Sequence, residues 1–190
     1  MNIKKYKYYV LTLFLFISNS QASNITVEVG YHFGGDELAV TGSSNSNTYK
    51  INAGELMSLA VGSHIYLDHE FYLRTLVGIK STFGIGDSGD VVWSRFLVEF
   101  MPFIRVDKWA FGAGLSYQLN PRLSGGYVQQ NNITNTEYKN TLGFVFEVDY
   151  QQGESSYVGI KYTVIAYEPV NSVSNAINGN SVGFVMGTVF

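Results

Sequence analysis

Large apolar side chains alternate with small ones along residues 181–190, and this pattern constrains the fold more than any other feature. Val182, Phe184 and Met186 are separated by glycine or valine, and the sequence ends on Phe190. A side-chain period of two predicts a β-strand. In water such a strand would promote aggregation, whereas in a membrane barrel Phe190 would lie in the aromatic girdle at the membrane interface. We therefore expect the rest of the chain to supply neighbouring strands on both sides.

A basic start followed by a short apolar run gives residues 1–22 the form of a secretory signal peptide. Three lysines precede the run 10–17, and small residues precede the expected cleavage after Ala22. The run is far shorter than the ~20 residues that a membrane-spanning helix needs. The sequence therefore predicts a signal peptide over 1–22 and an outer-membrane β-barrel domain over 23–190.

Charge and composition exclude several functional classes. The signal peptide contains three of the 12 Lys and Arg residues and none of the 15 Asp and Glu residues, so the remainder carries a net charge of −6. This acidic balance gives no reason to expect nucleic-acid binding. Charged residues make up 14% of the sequence, against ~25% in ordinary soluble domains. Without cysteine, the chain cannot be held by disulfides, and few charges with many Gly, Tyr and Phe favour a sheet whose outer face avoids water.

Eight segments alternate in this way, and they predict an all-β, eight-stranded antiparallel up-and-down transmembrane β-barrel. Turns after the second, fourth and sixth strands are short, whereas the other connections are mostly longer and polar, the longest being Asn120 to Tyr138. An even number of strands with this arrangement is typical of bacterial outer-membrane barrels with both termini in the periplasm. We expect the second strand to run from Lys50 to Tyr66, and the prolines to fall at strand ends or in loops.

The apolar residues fix which face of each strand points outward, and the mid-strand charges fall on the opposite face. We predict that these charges form an ionic network that fills the lumen: Glu28, Arg74, Lys80, Arg95, Glu99, Glu147 and Lys161. An eight-stranded barrel is just wide enough for its own side chains. Glu28, Arg74 and Glu99 are expected at one depth, with Glu147 and Lys161 as a neighbouring pair, while Glu55 is expected above the membrane.

Aromatic residues in the outward phase cluster near both ends of the strands. Such girdles are selected by the two membrane–water interfaces. The expected membrane-interface aromatics are Tyr31, Phe33, Phe83 and Tyr117 near the loops, and Phe71, Trp109, Tyr150 and Phe190 near the turns.

No arrangement of residues predicts catalysis, a metal site or a cofactor. His32 and His64 are expected near opposite ends of neighbouring strands, and Asp68-His69-Glu70 fits a solvated turn. Acidic loop residues (Asp36, Glu37, Asp87, Asp90) either bind a divalent cation that bridges lipopolysaccharide or are simply solvated. We therefore predict that the protein is not an enzyme.

The signal peptide, the eight alternating strands and the terminal Phe190 together resemble the small outer-membrane β-barrel proteins of Gram-negative bacteria, such as the transmembrane domain of OmpA and the porin-like barrels of the OmpX type. The resemblance implies a structural or surface-interaction role through the extracellular loops, with a narrow channel for small solutes and a lipid-modifying enzyme as alternatives. The implied partners are outer-membrane lipid and lipopolysaccharide, the barrel-assembly machinery at the C-terminal strand, and an extracellular ligand or host surface.

Overall fold

The computed structural model describes residues 23–42, 48–84, 91–125, 135–153, 155–170 and 175–190. The predicted signal peptide lies outside this part of the chain, as do the loop residues Asp87 and Asp90. None of the described residues belongs to a helix long and apolar enough to cross a membrane.

Thirteen strands are formed by the described residues. They are β1 (Ser23–Phe33), β2 (Glu37–Gly42), β3 (Thr48–Asn52), β4 (Leu56–Tyr66), β5 (Phe71–Gly84), β6 (Val91–Val106), β7 (Trp109–Gly125), β8 (Thr136–Glu137), β9 (Thr141–Gln152), β10 (Ser156–Val164), β11 (Ala166–Tyr167), β12 (Ile177–Asn178) and β13 (Ser181–Val189). Eight of these strands, β1, β4, β5, β6, β7, β9, β10 and β13, are long enough to form the barrel wall.

The eight long strands close into an antiparallel barrel. Their order is β6-β5-β4-β1-β13-β10-β9-β7, and β6 pairs with β7 to complete the ring. The first and last long strands are neighbours, with Val29 opposite Met186. Short turns and both ends of residues 23–190 lie at one end of the barrel, here called the turn end, and the longer connections lie at the loop end. The predicted fold class is therefore confirmed.

The predicted second strand is divided in the structure. Its first part, β3, pairs with β2 to form a separate hairpin at the loop end, and the barrel strand β4 begins only at Leu56. Ala53, in the break between β3 and β4, is fully buried. The expectation of one continuous strand was wrong because the alternation of apolar and polar residues continues across the turn between β3 and β4. This alternation therefore cannot show where the strand ends. Glu55 lies in this break, next to the start of β4, and its position above a membrane stays a prediction.

Two prolines lie inside strands, contrary to the expectation that all of them would avoid strand interiors. Pro102 lies opposite Leu73 of β5, while the β6–β7 pairing stops at Phe100 and resumes at Phe103. Pro121 lies beside a register shift on the other side of the same ladder. Since each proline sits where ladder pairing is interrupted, its missing N–H leaves no regular hydrogen bond unmade.

The outer face of the barrel is almost entirely apolar. Large side chains in the outward phase are exposed on all eight long strands, for example Leu59, Phe96, Phe144 and Phe184. All the charged side chains predicted for the lumen are buried on the opposite face. This segregation is opposite to that of a water-soluble barrel and matches a sheet whose outside meets hydrocarbon.

Candidate functional site

The inside of the barrel is filled by four successive groups of side chains, and we treat this filled lumen as the candidate site. From the turn end to the loop end they are an aromatic floor, an ionic layer, an upper lumen and an apolar cap. The glycines on the inner face provide the room: a Cβ on Gly112 would lie 2.5 Å from the Phe103 ring, and one on Gly183 would lie 2.3 Å from the His32 ring. The lumen side chains therefore fit together because glycine at selected positions of the barrel wall leaves space for them.

The aromatic floor consists of stacked rings near the turn end. Tyr72 lies between two of them, with ring centroids 4.9 Å from Phe103 and 4.9 Å from His64. Tyr66 packs against Tyr72 at 5.6 Å, and the Arg105 guanidinium lies 5.5 Å from the Tyr72 ring. Flat rings stacked across the lumen leave little space for water at this end.

The ionic layer comprises Glu28, Arg74, Glu99, Glu147, Asp149, Tyr157 and Lys161, and Arg74 is its largest member. The Arg74 side chain has no solvent exposure. Its Nη1 donates to Glu28 at 3.2 Å and to Glu147 at 2.5 Å, and its Nη2 donates to Asp149 at 2.5 Å. Its Nε donates to Nε2 of His64 at 2.9 Å, so a single guanidinium joins three carboxylates and the floor.

Two rings hold the faces of the same guanidinium. The Cζ atom of Arg74 lies 4.3 Å from the Phe103 ring centroid and 4.2 Å from that of Tyr157. A cation enclosed by ring faces gains attraction from their quadrupoles, and the attraction grows when water is absent. The Tyr157 hydroxyl in turn donates to Glu28 at 2.9 Å. The two rings therefore restrain the Arg74 guanidinium from above and below, and its hydrogen bonds restrain it at its edges.

Lys161 supplies the second cation of the ionic layer. Its Nζ lies 2.5 Å from Glu28, 3.0 Å from Glu99 and 3.1 Å from Glu147. Glu99 is also held by the Ser116 hydroxyl at 3.1 Å. The layer therefore connects strands from all around the barrel, since its members come from β1, β5, β6, β9 and β10.

The structure brings together five of the seven predicted network residues and leaves two outside the layer. Glu28 contacts Arg74, and Glu147 contacts Lys161, as the expected depths suggested, whereas Glu99 contacts Lys161. Sequence reasoning missed Asp149 and Tyr157. Asp149 lies two residues after Glu147 on the same strand, so its side chain also points into the lumen. Extending the alternation by one more inward position would have predicted it.

The upper lumen, above the ionic layer, contains the other two predicted cations, Lys80 and Arg95. Both are buried, and they lie directly opposite each other on β5 and β6. Lys80 donates to the Ser181 hydroxyl at 3.3 Å. No carboxylate among the described residues forms an ion pair with either cation. The remaining members of the upper lumen are His32, Ser58, Gln118, Thr163 and Ser181, of which His32 and Ser58 share a hydrogen bond of 3.0 Å.

The apolar cap closes the barrel at the loop end. Its buried members are Ile51, Ala53, Val91, Trp93, Leu123, Tyr138, Ile165 and Tyr167. The Trp93 ring meets Tyr138 at 5.2 Å and Tyr167 at 5.3 Å, both edge to face. Its Nε1 donates to the backbone oxygen of Ala53 at 3.0 Å. One indole therefore joins three of the long connections.

Backbone hydrogen bonds tie these connections to one another. The Lys139 amide donates to the Glu168 oxygen at 2.8 Å, and the Asp36 amide donates to the Asn178 oxygen at 2.7 Å. The Asp36 carboxylate also accepts from the Asn178 amide at 2.8 Å. Because of these contacts, the described loop segments form one surface over the cap.

A cavity within the filled lumen is small. A cavity of about 10 Å³ between the ionic layer and the upper lumen is lined by Glu28, His32, Ser58, Ala60, Lys80, Leu97, Glu99, Gln118, Lys161 and Thr163. This volume is about that of one water-sized probe. The described part of the barrel thus contains a packed interior at this depth.

The predicted membrane-interface aromatics lie on the outer face wherever their side chains are described. Tyr31, Phe33, Phe71, Trp109, Tyr117 and Phe190 are exposed, and Tyr150 is half-buried against the Trp109 ring at 5.1 Å. The side chain of Phe83 lies outside the described residues. Their role at a membrane interface stays a prediction.

The histidines occupy structural positions. His32 and His64 are held in the upper lumen and the aromatic floor respectively, and His69 lies in a turn where Asp68 accepts backbone hydrogen bonds at 2.7 Å and 2.8 Å. Among the described residues, no group of three or more His, Asp or Glu side chains is arranged to hold a metal ion.

Several solved structures are similar to this chain, including the following two. Ail, the attachment invasion locus protein of Yersinia pestis, matches with a TM-score of 0.52 and 8% identity, over 88% of this chain and 97% of that one. Neisserial surface protein A (NspA) matches with a TM-score of 0.50 and 13% identity, over the same shares of the two chains. No protein-family model and no curated protein matches the sequence. At these identities the similarity concerns the fold alone, and it confirms the predicted architecture of a closed, eight-stranded antiparallel barrel.

Proposed function

We propose that the protein is a non-enzymatic integral outer-membrane barrel that acts at the cell surface through its loops and does not conduct solutes. The observation that carries this proposal is the filled lumen. Arg74 and Lys161 bind carboxylates from several strands in the middle of the barrel. Above them the cap buries Trp93 completely, so ions would have to displace two independent obstructions.

The loop end is the surface that we propose for this interaction. The β2–β3 hairpin projects there, and its exposed Glu37–Lys50 ion pair measures 2.9 Å. The longest predicted connection, Asn120 to Tyr138, is the segment that we propose as the main contact surface. It is shorter than expected because β7 continues to Gly125, and residues 126–134 lie outside the described residues. The names of the two similar proteins, an attachment protein and a surface protein, support a surface role.

The proposed orientation places the turn end in the periplasm and the loop end outside the cell. In this arrangement residues 1–22 are a signal peptide that is removed, and the C-terminal strand is the part that the barrel-assembly machinery recognises. Lipopolysaccharide would surround the loop end. The outward aromatics at the two ends, such as Tyr31 and Trp109, support this placement because interfaces favour such residues.

Planar-bilayer recording tests whether the lumen is closed. We expect no long-lived open channel from the wild type, and more frequent openings from Arg74→Ala because this change removes the largest side chain of the ionic layer. Glu99→Ala should have a smaller effect, and Arg122→Ala, an exposed position on β7, is the matched control. A large and stable wild-type conductance would contradict the proposal and favour a channel for small solutes.

A strain lacking the gene tests the surface role separately. We expect reduced binding of cells to host or abiotic surfaces and unchanged leakage of small dyes through the envelope. Complementation with a chain lacking residues 126–134 should restore barrel insertion, which heat-modifiable migration in detergent gels reports, without restoring binding. Unchanged binding in the deletion strain, with altered dye uptake, would reject the surface role.

A further inference from the structure

A groove crosses the outer face of the barrel where the first and last long strands meet, and we call it the outer groove. Its volume is about 660 Å³, within the range of small-molecule sites. Its floor is backbone, since Val185 of β13 pairs with Gly30 of β1 on one side and with Gly159 of β10 on the other. Because alternate residues point to opposite faces, these three residues place no side chain on the outer face.

Two rows of outward side chains form the sides of the outer groove. The row nearer the loop end carries large side chains in register from β10 to β1: Ile160, Phe184 and Tyr31. The row nearer the turn end is lower because two of its members are valines: Val158, Met186 and Val29. None of the described residues that line the groove is charged. Its shape and chemistry therefore suit a slender apolar group.

The outer groove runs obliquely from the turn end toward the loop end. Trp109, the first residue of β7, lies at one end of the groove, and Met57 of β4 lies at the other. These two strands are five places apart in the barrel, a distance of about 24 Å at ~4.8 Å for each strand spacing. Because barrel strands tilt by about 40°, a row across them rises by about 15 Å along the barrel axis. This rise is half of the ~30 Å hydrocarbon core, so the groove has the depth of one leaflet.

The turn end of the outer groove is suited to a polar headgroup. Trp109 and Tyr150 form an edge-to-face pair there, with ring centroids 5.1 Å apart, and membrane interfaces favour such residues. Asp107 and Lys108 directly precede Trp109 in an exposed turn, so both signs of charge lie next to the aromatic pair. Near the other end of the groove, Glu55 precedes β4, and its carboxylate would repel a phosphate. The charges therefore favour a headgroup at the turn end.

We propose that the outer groove binds one acyl chain of a phospholipid from the leaflet at the turn end, with the headgroup beside the Trp109–Tyr150 pair. This inference rests on the proposed membrane placement and adds a specific lipid site to it. The chain lies between the two rows and gains van der Waals contacts on both sides, which a flat part of the wall does not offer. The phosphate faces Lys108, and the cationic group of a zwitterionic headgroup faces Asp107.

Photolabelling in lipid vesicles locates the chain. The full protein would be folded into phosphatidylcholine vesicles containing a trace of the same lipid with a diazirine in one acyl chain, and peptide mass spectrometry would map the modified residues. A diazirine near the carboxyl end of the chain should modify Tyr150 and Val158, and one near the methyl end should modify Phe184 and Tyr31. We expect several-fold more labelling at these positions than at Val77, on the opposite side of the barrel.

Val29→Trp and Val77→Trp form a matched pair of variants. Both valines face outward, with exposures of 41% and 43%, and each is the seventh residue of its strand from the turn end. Val29→Trp fills the outer groove and should remove the excess labelling of Phe184, whereas Val77→Trp should leave it unchanged. Heat-modifiable migration in gels reports whether each barrel has formed. Val158→Trp, in the same row, provides a second test should Val29→Trp fail to fold.

The outcomes separate this lipid site from the proposed membrane placement. Even labelling of outward positions on all eight long strands would reject the site and leave the placement intact, whereas no labelling on any strand would reject both. Excess labelling of Phe184 by the carboxyl-end probe would overturn the proposal, because the chain would then enter from the leaflet at the loop end, where lipopolysaccharide lies. Cross-links between two copies through Phe184 would also overturn it, since the groove would then be a dimer interface.

Discussion

Two adjacent layers of one lumen hold their cations in opposite ways. In the ionic layer, Arg74 and Lys161 lie among four carboxylates, with contacts from 2.5 to 3.2 Å. In the upper lumen, Lys80 and Arg95 lie opposite each other and contact hydroxyls and aromatic rings instead. The comparison shows that the position of each charge, and not the total for the lumen, determines its energetic role.

This difference has a clear physical basis. Removing one partner of a buried ion pair leaves the other charge desolvated and uncompensated, which costs about 3–5 kcal/mol. Removing a buried charge that has no partner leaves nothing uncompensated. The two layers should therefore respond differently to the same kind of substitution, even though all four cations are equally buried.

Arg74→Met should have the largest effect on the barrel. The change leaves Glu28, Glu147 and Asp149 with fewer donors, so we expect the free energy of unfolding to fall by about 3–5 kcal/mol. Urea titration in vesicles, followed by heat-modifiable migration, measures it. A loss below about 1 kcal/mol would show that the layer fills space without electrostatic importance.

Trp93→Ala should affect the cap and spare the barrel wall. Deleting a buried indole costs on the order of 3 kcal/mol, which corresponds to an increase of about a hundredfold in local opening. Hydrogen exchange should therefore accelerate at β11 and β12, while the amides of β9 and β10 stay protected. Equal acceleration in all four strands would mean that the cap and the wall unfold together.

Arg95→Met should change stability much less than Arg74→Met. We expect the free energy of unfolding to stay within about 1 kcal/mol of the wild type, since no described carboxylate loses a partner. The two titrations, run side by side, sharpen the contrast between the layers. A loss as large as that of Arg74→Met would place an undetected carboxylate next to Arg95.

Lys139→Ala should have the smallest effect. Its ion pair with Glu168 measures 2.9 Å, but both side chains are more than half exposed. Exposed pairs of this kind contribute about 0.2–1 kcal/mol and weaken as salt rises. A larger loss in unfolding free energy would show that this pair holds the loop surface together more firmly than its exposure suggests.

The sequence predicted the barrel well because its main signal is local. Alternation gave the inward and outward faces of the long strands, and it placed Glu28, Arg74 and Lys161 inside. Alternation could not show that β3 lies outside the barrel wall and pairs with β2, because the same apolar–polar alternation can continue through a turn. Nor could it show that Pro102 fits within β6, because that depends on the interrupted pairing with β7.

Contacts within the lumen were harder to predict than its composition. The depth of each residue depends on the register between strands, and Glu99 contacts Lys161 across the lumen rather than Arg74 on the neighbouring strand. The cap was not foreseen, because Trp93 of β6 packs against Tyr138 and Tyr167, which come from separate connections that no short-range pattern joins. Long-range packing of loops therefore remained beyond the reach of periodicity.

The central claim is that hydrocarbon covers the outer face of the barrel, and the two tryptophans of the chain can test it directly. Trp109 is exposed on the outer face, whereas Trp93 is fully buried in the cap. In vesicles of brominated phospholipid, the Trp93→Phe variant should show strong quenching of Trp109, and Trp109→Phe should show little quenching of Trp93. Quenching of Trp109 by aqueous iodide but not by the brominated acyl chains would contradict the claim.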